Sequence, residues 1–285
     1  MIDIKPINHG FGADIGGIDL ATITDADFEI IYQAWLDYGV LRFHDQKLTK
    51  DSLQAFSQRF GPLEKIPFGK LSKEQQAKID NLYVTAISNI VIDGKPLGGL
   101  GDGELVWHSD MTYVETPPPA SVLLGVEIPA QGGDTYFCDQ KAAYEKLSDE
   151  LKARIANLTI KHDAAHSSDG KLRPGYEDLT DPREAPGAVH PIVRPHDETG
   201  DACLYLGRRE WAYIPELSLA DSETLLDELW AQATPEDSII VQKWTPGDVI
   251  IWDNRRCLHK RTPIDPTSRR LLLRCQVLAR EAHVN

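Results

Sequence analysis

The chain has 285 residues, and its 30 Lys and Arg against 44 Asp and Glu give a formal net charge of −14 at pH 7. We expect no nucleic-acid and no membrane partner, because polyanions repel such a protein at long range. A small anionic or zwitterionic substrate is not excluded, since it responds to local Lys and Arg side chains. The length fits one large domain, and we expect residues 1–285 to form it.

The cysteines and the N-terminus indicate the compartment. The N-terminus lacks a basic segment followed by an apolar one, and no apolar run approaches the ~20 residues of a membrane span. The four cysteines form neither C-x-x-C pairs nor zinc-type spacings. We interpret them as buried thiols in a reducing compartment, and we expect a cytoplasmic protein: Cys138, Cys203, Cys257 and Cys275.

The first predicted helix covers residues 25–38, where apolar residues recur at helical spacing and Gly39 is a plausible C-cap. Three further helices are predicted at residues 51–60, 140–157 and 221–233. The predicted strands are residues 40–43, 82–92, 120–127, 133–137, 202–206, 238–244, 248–252 and 270–278. This pattern favours a mostly β fold with flanking helices, built on a double-stranded β-helix (jelly-roll, cupin-like) core.

Two long polar segments interrupt the predicted elements, near residues 93–106 and 162–195. Both are rich in Pro, Gly and charged residues and lack clear periodicity, so they are either lid loops over a site or disordered loops. We favour lids, because the first segment runs directly into His108.

The tripeptide His108-Ser109-Asp110 is a candidate metal-binding motif. Residues two apart in a strand point the same way, so His108 and Asp110 can face one ion. Two imidazoles and one carboxylate leave three positions of an octahedron open, the arrangement that non-haem Fe(II) oxygenases use. The pattern His-x-Asp alone is weak evidence for a metal site. Here, however, Trp107 precedes it, an apolar strand follows, and a remote histidine, His259, could complete the set of ligands.

His259 ends the segment PGDVIIWDNRRCLH, which we interpret as a tight turn, a buried strand and a polar turn that delivers the imidazole. On the strand that follows, Arg270 and Arg274 share one face, so two guanidinium groups could enter one cavity and bind anions. The alternative is a pair of exposed strand charges. We assign no metal role to the other histidines: His9, His44, His162, His166, His190, His196 and His283.

Several motifs occur together in an order that resembles one family. They are GADIGGIDL, VLRFHDQKLT, FSQRFGPLE, WHSDMTYVETPPPAS, QGGDTYF, PGDVIIWDNRRCLH and the Arg-Arg pair before Arg274. The chain thereby resembles the taurine dioxygenase and 2,4-dichlorophenoxyacetate dioxygenase (TauD/TfdA) family of Fe(II)/2-oxoglutarate-dependent oxygenases over almost its whole length.

The resemblance implies an iron ligand set of His108, Asp110 and His259. It also implies that Arg270 pairs with the distal carboxylate of 2-oxoglutarate and that the Thr135 hydroxyl helps to hold it. The implied cofactors are Fe(II), 2-oxoglutarate as cosubstrate and O₂, with release of succinate and CO₂. With Asp110 as a ligand no position remains for a halide, so hydroxylation of an unactivated C–H bond is predicted, with desaturation or another oxidative rearrangement as alternatives.

Substrate contacts are predicted from the same resemblance. Arg274 matches a position that contacts an acidic substrate group or lies beside the cosubstrate. Glu104 could receive a substrate ammonium or remain a solvated loop residue. If Arg274 binds an acidic group and Glu104 binds an ammonium, the substrate is an amino acid or an amino-acid derivative. Lys65 and Phe68 match another family loop near the substrate, and Tyr113 follows the metal-binding motif; Phe68 and Tyr113 are core or rim aromatics, or else substrate contacts.

Two functions of other classes stay open. A zinc hydrolase could use the same three metal ligands, although it would have no use for Arg270 and Thr135. A cupin-like module could bind a ligand without catalysis. By analogy with the family, we also expect a homo-oligomer.

Overall fold

The computed structural model describes residues 1–66, 79–100, 106–167, 170–207 and 211–280. Its helices are α1 Asp25–Tyr38, α2 Lys50–Gln58, α3 Gln140–Lys146, α4 Asp149–Ile155 and α5 Leu219–Ala233, with a 3₁₀ turn at Glu236–Ser238. Its strands are β1 Asp3–Asn8, β2 Phe11–Gly16, β3 Val40–Phe43, β4 Thr85–Ser88, β5 Val91–Ile92, β6 Lys95–Pro96, β7 Gly99–Leu100, β8 Ala120–Glu127, β9 Thr135–Asp139, β10 Thr159–Lys161, β11 Val189–Pro191, β12 Val193–Pro195, β13 Ala202–Leu204, β14 Ile239–Gln242, β15 Val249–Asp253, β16 Cys257–Arg261 and β17 Leu271–Val277.

Helix α1 forms where the sequence predicts it. Thr24 caps its N-terminus in a reciprocal capping box with Asp27, and Gly39 ends it with a φ of 71°. The predicted apolar face is the buried one: Phe28, Ile31, Ala34 and Trp35.

The prediction of a single helix over residues 140–157 is wrong. Leu147 is extended, with a ψ of 148°, and separates α3 from α4. The next residue, Ser148, accepts a hydrogen bond from the Leu151 backbone N–H at 3.1 Å. Serine favours such a cap over a helix interior, so a new helix starts here.

Two sheets carry the core. The larger has eight strands in the order β1-β2-β3-β15-β8-β17-β4-β7, and the smaller has three in the order β14-β9-β16. Helices α1 and α2 pack on the outer face of the larger sheet, whereas α3, α4 and α5 belong to a separate apolar cluster that includes Leu258 of β16. A third cluster joins the facing sides of the two sheets, for example Leu272 of β17 and Phe137 of β9.

Alternation along single strands fixes which side chains lie between the sheets. In β15, Val249 and Ile251 pack towards the helices, whereas Ile250 and Trp252 lie in the cluster between the sheets. The two sheets lie between two groups of helices, which makes four layers. Successive strand residues point to opposite faces, so β15, which is covered on both sides, needs apolar residues on both faces. The space between the sheets is where a site can be lined from both.

Some strands differ from those predicted. The strand predicted at residues 82–92 is two strands, β4 and β5, because the Ser88 hydroxyl accepts a bond from the Ile90 N–H at 3.0 Å and turns the chain. The N-terminal hairpin of β1 and β2 was not predicted. The segment at 162–195 contains β11 and β12, each paired in a two-stranded ribbon.

Two further expectations can be compared with the structure. All four cysteines are buried free thiols, as predicted. Within the described ranges, no helix combines the length and the apolar character that crossing a membrane requires.

Candidate metal centre

A cavity of about 400 Å³ opens between the two sheets. Both sheets and the segments around them contribute to its wall. Its lining residues are Glu64, Thr85, Ile87, His108, Asp110, Met111, Tyr113, Leu123, Thr135, Ser167, Arg173, Trp252, His259, Lys260, Arg261, Arg270, Leu272 and Arg274.

The three predicted metal ligands meet in this cavity. Backbone hydrogen bonds of 3.1 and 2.8 Å join His108 to His259, so His108 extends the smaller sheet beside β16. The two Nε2 atoms lie 3.9 and 3.7 Å from Asp110 Oδ1, and one ligand atom from each residue lies within 4.8 Å of the others. The predicted buried strand and polar turn are present, as β15 and residues 254–256, but His259 lies beyond the turn, in the middle of a strand, β16, that was not predicted.

Hydrogen bonds around the cluster determine which atoms of His108 and Asp110 face it. His108 Nδ1 lies 2.8 Å from the Val106 carbonyl oxygen, which can only accept, so the proton is on Nδ1 and the Nε2 lone pair faces the cluster. Asp110 Oδ2 accepts a 2.6 Å bond from the Ser121 hydroxyl, which in turn accepts from Gln276 at 2.7 Å. These bonds leave Asp110 Oδ1 to face the two imidazoles.

Asp110 is ionised in this setting. Burial raises the pKa of its carboxyl, but the electrostatic effects of His259, Arg274 and His108 and the Ser121 hydrogen bond outweigh burial and hold the pKa well below its usual range. Two imidazole nitrogens and one carboxylate oxygen, all buried and facing a cavity, fit a divalent transition metal with open positions.

A second group of residues forms a cationic end of the cavity, which we call the carboxylate end: Thr135, Arg261 and Arg270. Thr135 and Arg261 face each other across β9 and β16. Arg270 is only 3% exposed, and its Nη2 donates a 3.3 Å bond to the Gly133 carbonyl. Burial and the charge of Arg261 together lower the pKa of Arg270 to about 10.

The buried Arg270 guanidinium implies an anion. Across the described ranges no carboxylate lies within 4.0 Å of it, and an unpaired buried cation is costly. Gly133 lets it approach, since a Cβ there would lie 3.0 Å from Arg270 Nε. Arg269 instead is exposed and pairs with Glu127 at 2.8 Å, so Arg270 and not Arg269 faces the cavity.

The remaining predicted site residues divide into three sets. Arg274 and Tyr113 line the cavity. Lys65 is exposed and is not a lining residue, whereas its neighbour Glu64 is one. Phe68 and Glu104 lie outside the described residues.

Sequence reasoning missed several lining residues. Arg261 lies two positions after His259, so strand alternation would have placed it on the same face had β16 been recognised. Arg173 lies in a segment without periodicity, and no sequence signal places it at the cavity. Ser167 comes from the same segment, which therefore contributes to the cavity wall.

Comparisons with known proteins agree with this geometry. The family model described as taurine catabolism dioxygenase TauD, TfdA family matches residues 3–276. The (S)-phenoxypropionate/alpha-ketoglutarate-dioxygenase of Sphingobium herbicidovorans is 36% identical over 278 residues, which are 95% of this chain and 92% of that protein.

Two solved structures extend the similarity to the fold. A taurine dioxygenase from Burkholderia xenovorans superposes with a TM-score of 0.76 at 31% identity, over 98% of this chain and 91% of the other. AAD-2 in complex with Mn(II) and N-oxalylglycine superposes with a TM-score of 0.78 at 28% identity, over 99% and 98%. The prediction of a mostly β jelly-roll core with flanking helices is confirmed.

Proposed function

Because the chain belongs to the taurine catabolism dioxygenase TauD, TfdA family, we propose that His108, Asp110 and His259 hold the Fe(II) of this enzyme. The enzyme is an Fe(II)- and 2-oxoglutarate-dependent dioxygenase that oxidises a small substrate. The observation that carries the ligand assignment is the convergence of two Nε2 atoms and Asp110 Oδ1 on one point of the cavity wall. When bound, the iron, 2-oxoglutarate and O₂ together supply C–H oxidation with release of succinate and CO₂.

We infer that the carboxylate end receives the distal carboxylate of 2-oxoglutarate. Arg270 is buried without a described carboxylate partner, and its planar guanidinium can donate two parallel hydrogen bonds to one. Thr135 lines the same cavity and faces Arg261 across β9 and β16. The carboxylate neutralises the buried positive charge of Arg270.

Trp244 orients the Thr135 hydroxyl. Its indole Nε1 lies 2.9 Å from Thr135 Oγ, and an indole N–H can only donate. Thr135 Oγ must therefore accept from Trp244, which directs the single hydroxyl proton elsewhere. We infer that this proton is donated to the 2-oxoglutarate carboxylate.

Trp244→Phe should weaken 2-oxoglutarate binding by roughly two- to tenfold, the usual contribution of one hydrogen bond. Thr135→Val should have a similar effect, and the double variant should lose little more because both changes remove the same interaction. The measurement is 2-oxoglutarate affinity by calorimetry on the Fe(II)-loaded enzyme. Trp230→Phe, which changes a tryptophan packed on the α5 cluster, is the control. Full additivity would contradict the orienting role.

We propose that the substrate is a small acid. Arg274 lies on the cavity wall close enough to Asp110 for its charge to lower the pKa of that carboxyl, and it can pair with a substrate anion near the metal. The apolar wall beside the metal is formed by Trp252, whose ring centroid lies 4.9 Å from that of His259, with Leu123 and Leu272. It can hold the carbon skeleton that is oxidised. The substrate of the Sphingobium relative, phenoxypropionate, has this combination of an acid and an apolar body.

The segments near residues 93–106 and 162–195 stay proposed lids within one domain of residues 1–285. Ser167 and Arg173 on the cavity wall support that role for the second segment. The cytoplasmic location and the homo-oligomer are also proposals, and sedimentation of the purified enzyme tests the second.

The proposed function is tested by aerobic incubation of the Fe(II)-loaded enzyme with 2-oxoglutarate and a panel of phenoxypropionate, phenoxyacetate, taurine and amino acids. We expect at least one acid to increase succinate formation and to be hydroxylated, as seen by mass spectrometry. A product two mass units lighter than the substrate would indicate desaturation instead. Succinate formation that no acid stimulates would contradict the proposed substrate class, and hydrolysis without O₂ consumption would favour the zinc hydrolase.

A further inference from the structure

Arg173 reaches the cavity from an arm that is held rigidly at its base, formed by residues 162–167 and 170–173. Asp163 anchors it, because its carboxylate accepts bonds of 2.7 and 3.0 Å from the backbone N–H groups of Ala165 and His166. The His166 ring stacks on Trp211, with centroids 4.9 Å apart and planes 12° from parallel. The Arg173 N–H donates to the Ala165 carbonyl at 2.8 Å, so its backbone is fixed on this base.

The Arg173 side chain is also held in place. Its guanidinium carbon lies 4.2 Å from the centroid of the Tyr113 ring, a distance typical of a cation–π contact. Its Nη1 donates a long, 3.4 Å bond to the Ala164 carbonyl. Tyr113 follows the metal-ligand motif by three residues, so the contact ties the arm to the segment that carries Asp110.

The charge of Arg173 has no acidic partner in the described ranges. No carboxylate there lies within 4.0 Å of its guanidinium, and most of its five donors remain available to a ligand. Arg183, in contrast, lies on the same 162–195 segment and is paired with Asp181 on the surface. An arginine stacked on an aromatic ring with unused donors is suited to binding a carboxylate or a similar anion.

The other charges of the cavity favour the same class of ligand. Arg274 enters from β17, whereas Arg173 enters from the arm, so the two guanidinium groups come from separate elements. The chain as a whole carries a net charge of −14, yet the cavity lining has five cationic residues against Glu64 and Asp110. One 2-oxoglutarate dianion at the carboxylate end does not use all of them.

We propose that Arg173, presented on the Tyr113 ring, is a specificity-determining residue that binds the acidic group of the substrate. This proposal rests on the proposed function and deepens it. The substrate class is a small organic acid, and its anion enters the cavity under the arm. Arg173 then selects against neutral molecules of the same shape, although it binds neither the metal nor 2-oxoglutarate.

The test measures binding, not turnover. Anaerobic enzyme saturated with Fe(II) and 2-oxoglutarate is titrated with 2-phenoxypropionate, phenoxyacetate or taurine, and with neutral 2-phenoxypropionamide, by calorimetry and by the shift of the visible band of the Fe(II)–2-oxoglutarate complex. Arg173→Met should weaken binding of the acid roughly 10- to 100-fold, as loss of a charge-assisted hydrogen bond predicts. Affinity for the amide and for 2-oxoglutarate should stay unchanged.

Two further variants sharpen the result. Arg183→Met removes a paired surface arginine of the same segment and should leave acid binding as in the wild type. Tyr113→Leu removes the ring under the guanidinium and should weaken acid binding, with little further loss in the double variant because both changes affect one contact.

Three outcomes would overturn the proposal. They are wild-type affinity for the acid in Arg173→Met, a parallel loss of amide binding, and failure of every acid to bind a wild-type enzyme that forms the visible band. The last result would leave the 2-oxoglutarate chemistry intact, whereas absence of the band itself would contradict the proposed function.

Discussion

Replacing His108 with alanine should abolish tight Fe(II) binding and turnover. The substitution removes one of three donors that converge within 4.8 Å, and the two that remain form an incomplete set. Changes to residues that merely orient a ligand cost 10- to 100-fold in metal affinity, so loss of a direct ligand should cost more than about 100-fold. Iron content after gel filtration and an Fe(II) titration give the measurement.

A histidine far from the cluster controls for this effect. His9 is exposed with a φ of 40°, a conformation that asparagine tolerates, so His9→Asn should bind iron and turn over as the wild type does. Wild-type iron affinity in His108→Ala would remove His108 from the ligand set. Circular dichroism of both variants separates loss of iron from loss of the fold.

Replacing Arg270 with methionine should weaken 2-oxoglutarate binding by roughly 30-fold to several thousandfold. Truncating one partner of a buried, hydrogen-bonded charge pair costs about 2–5 kcal/mol, because the other charge is left unpaired. Arg270→Lys should lie in between, since an ammonium keeps the charge but lacks the planar fork. Calorimetry with 2-oxoglutarate on the Fe(II)-loaded variants measures the effect, and Fe(II) affinity should not change.

The adjacent Arg269 supplies a matched control. It is exposed and paired with Glu127, so Arg269→Met should leave 2-oxoglutarate affinity unchanged. If the two variants behaved in the opposite way, the inward face of this segment would be misassigned. Equal, wild-type affinity in both would mean that the carboxylate end binds another anion.

The metal cluster could be predicted from the sequence because its signals are local. His108 and Asp110 are two residues apart on extended chain, which brings them to one side. The same period of two placed Arg270 and Arg274 on one face, and both line the cavity. The predicted apolar face of α1 is buried for a similar reason, since helical spacing alone defines it.

Strand β16 could not be read from its sequence, Cys257-Leu258-His259-Lys260-Arg261, because charged residues occupy positions that are normally apolar. Just before it, Arg255 and Arg256 look like a polar turn, yet both are buried and paired. Their partners, Asp253 and Asp139, lie at 2.6 and 2.8 Å. Because charged residues in ion pairs occupy this part of the core, its hydrophobicity pattern does not identify it as buried.

The arm that carries Arg173 shows a different limit. Its place at the cavity depends on the packing of His166 on Trp211 and of Arg173 on Tyr113, contacts between residues 45 and 60 positions apart in the chain. One sequence contains no local pattern for such contacts. The break between α3 and α4 was missed for a simpler reason, since a single capping serine interrupted a continuous helical pattern.

We infer that this cavity binds Fe(II) and 2-oxoglutarate together. An anaerobic titration of the apo protein with Fe(II) and then 2-oxoglutarate tests it most directly, by the visible metal-to-ligand charge-transfer band of a chelated 2-oxo acid. We predict that the band develops with one Fe(II) and one 2-oxoglutarate per chain and is absent in His108→Ala. Bound iron without the band in the wild-type protein would mean that 2-oxoglutarate does not chelate the iron in this cavity.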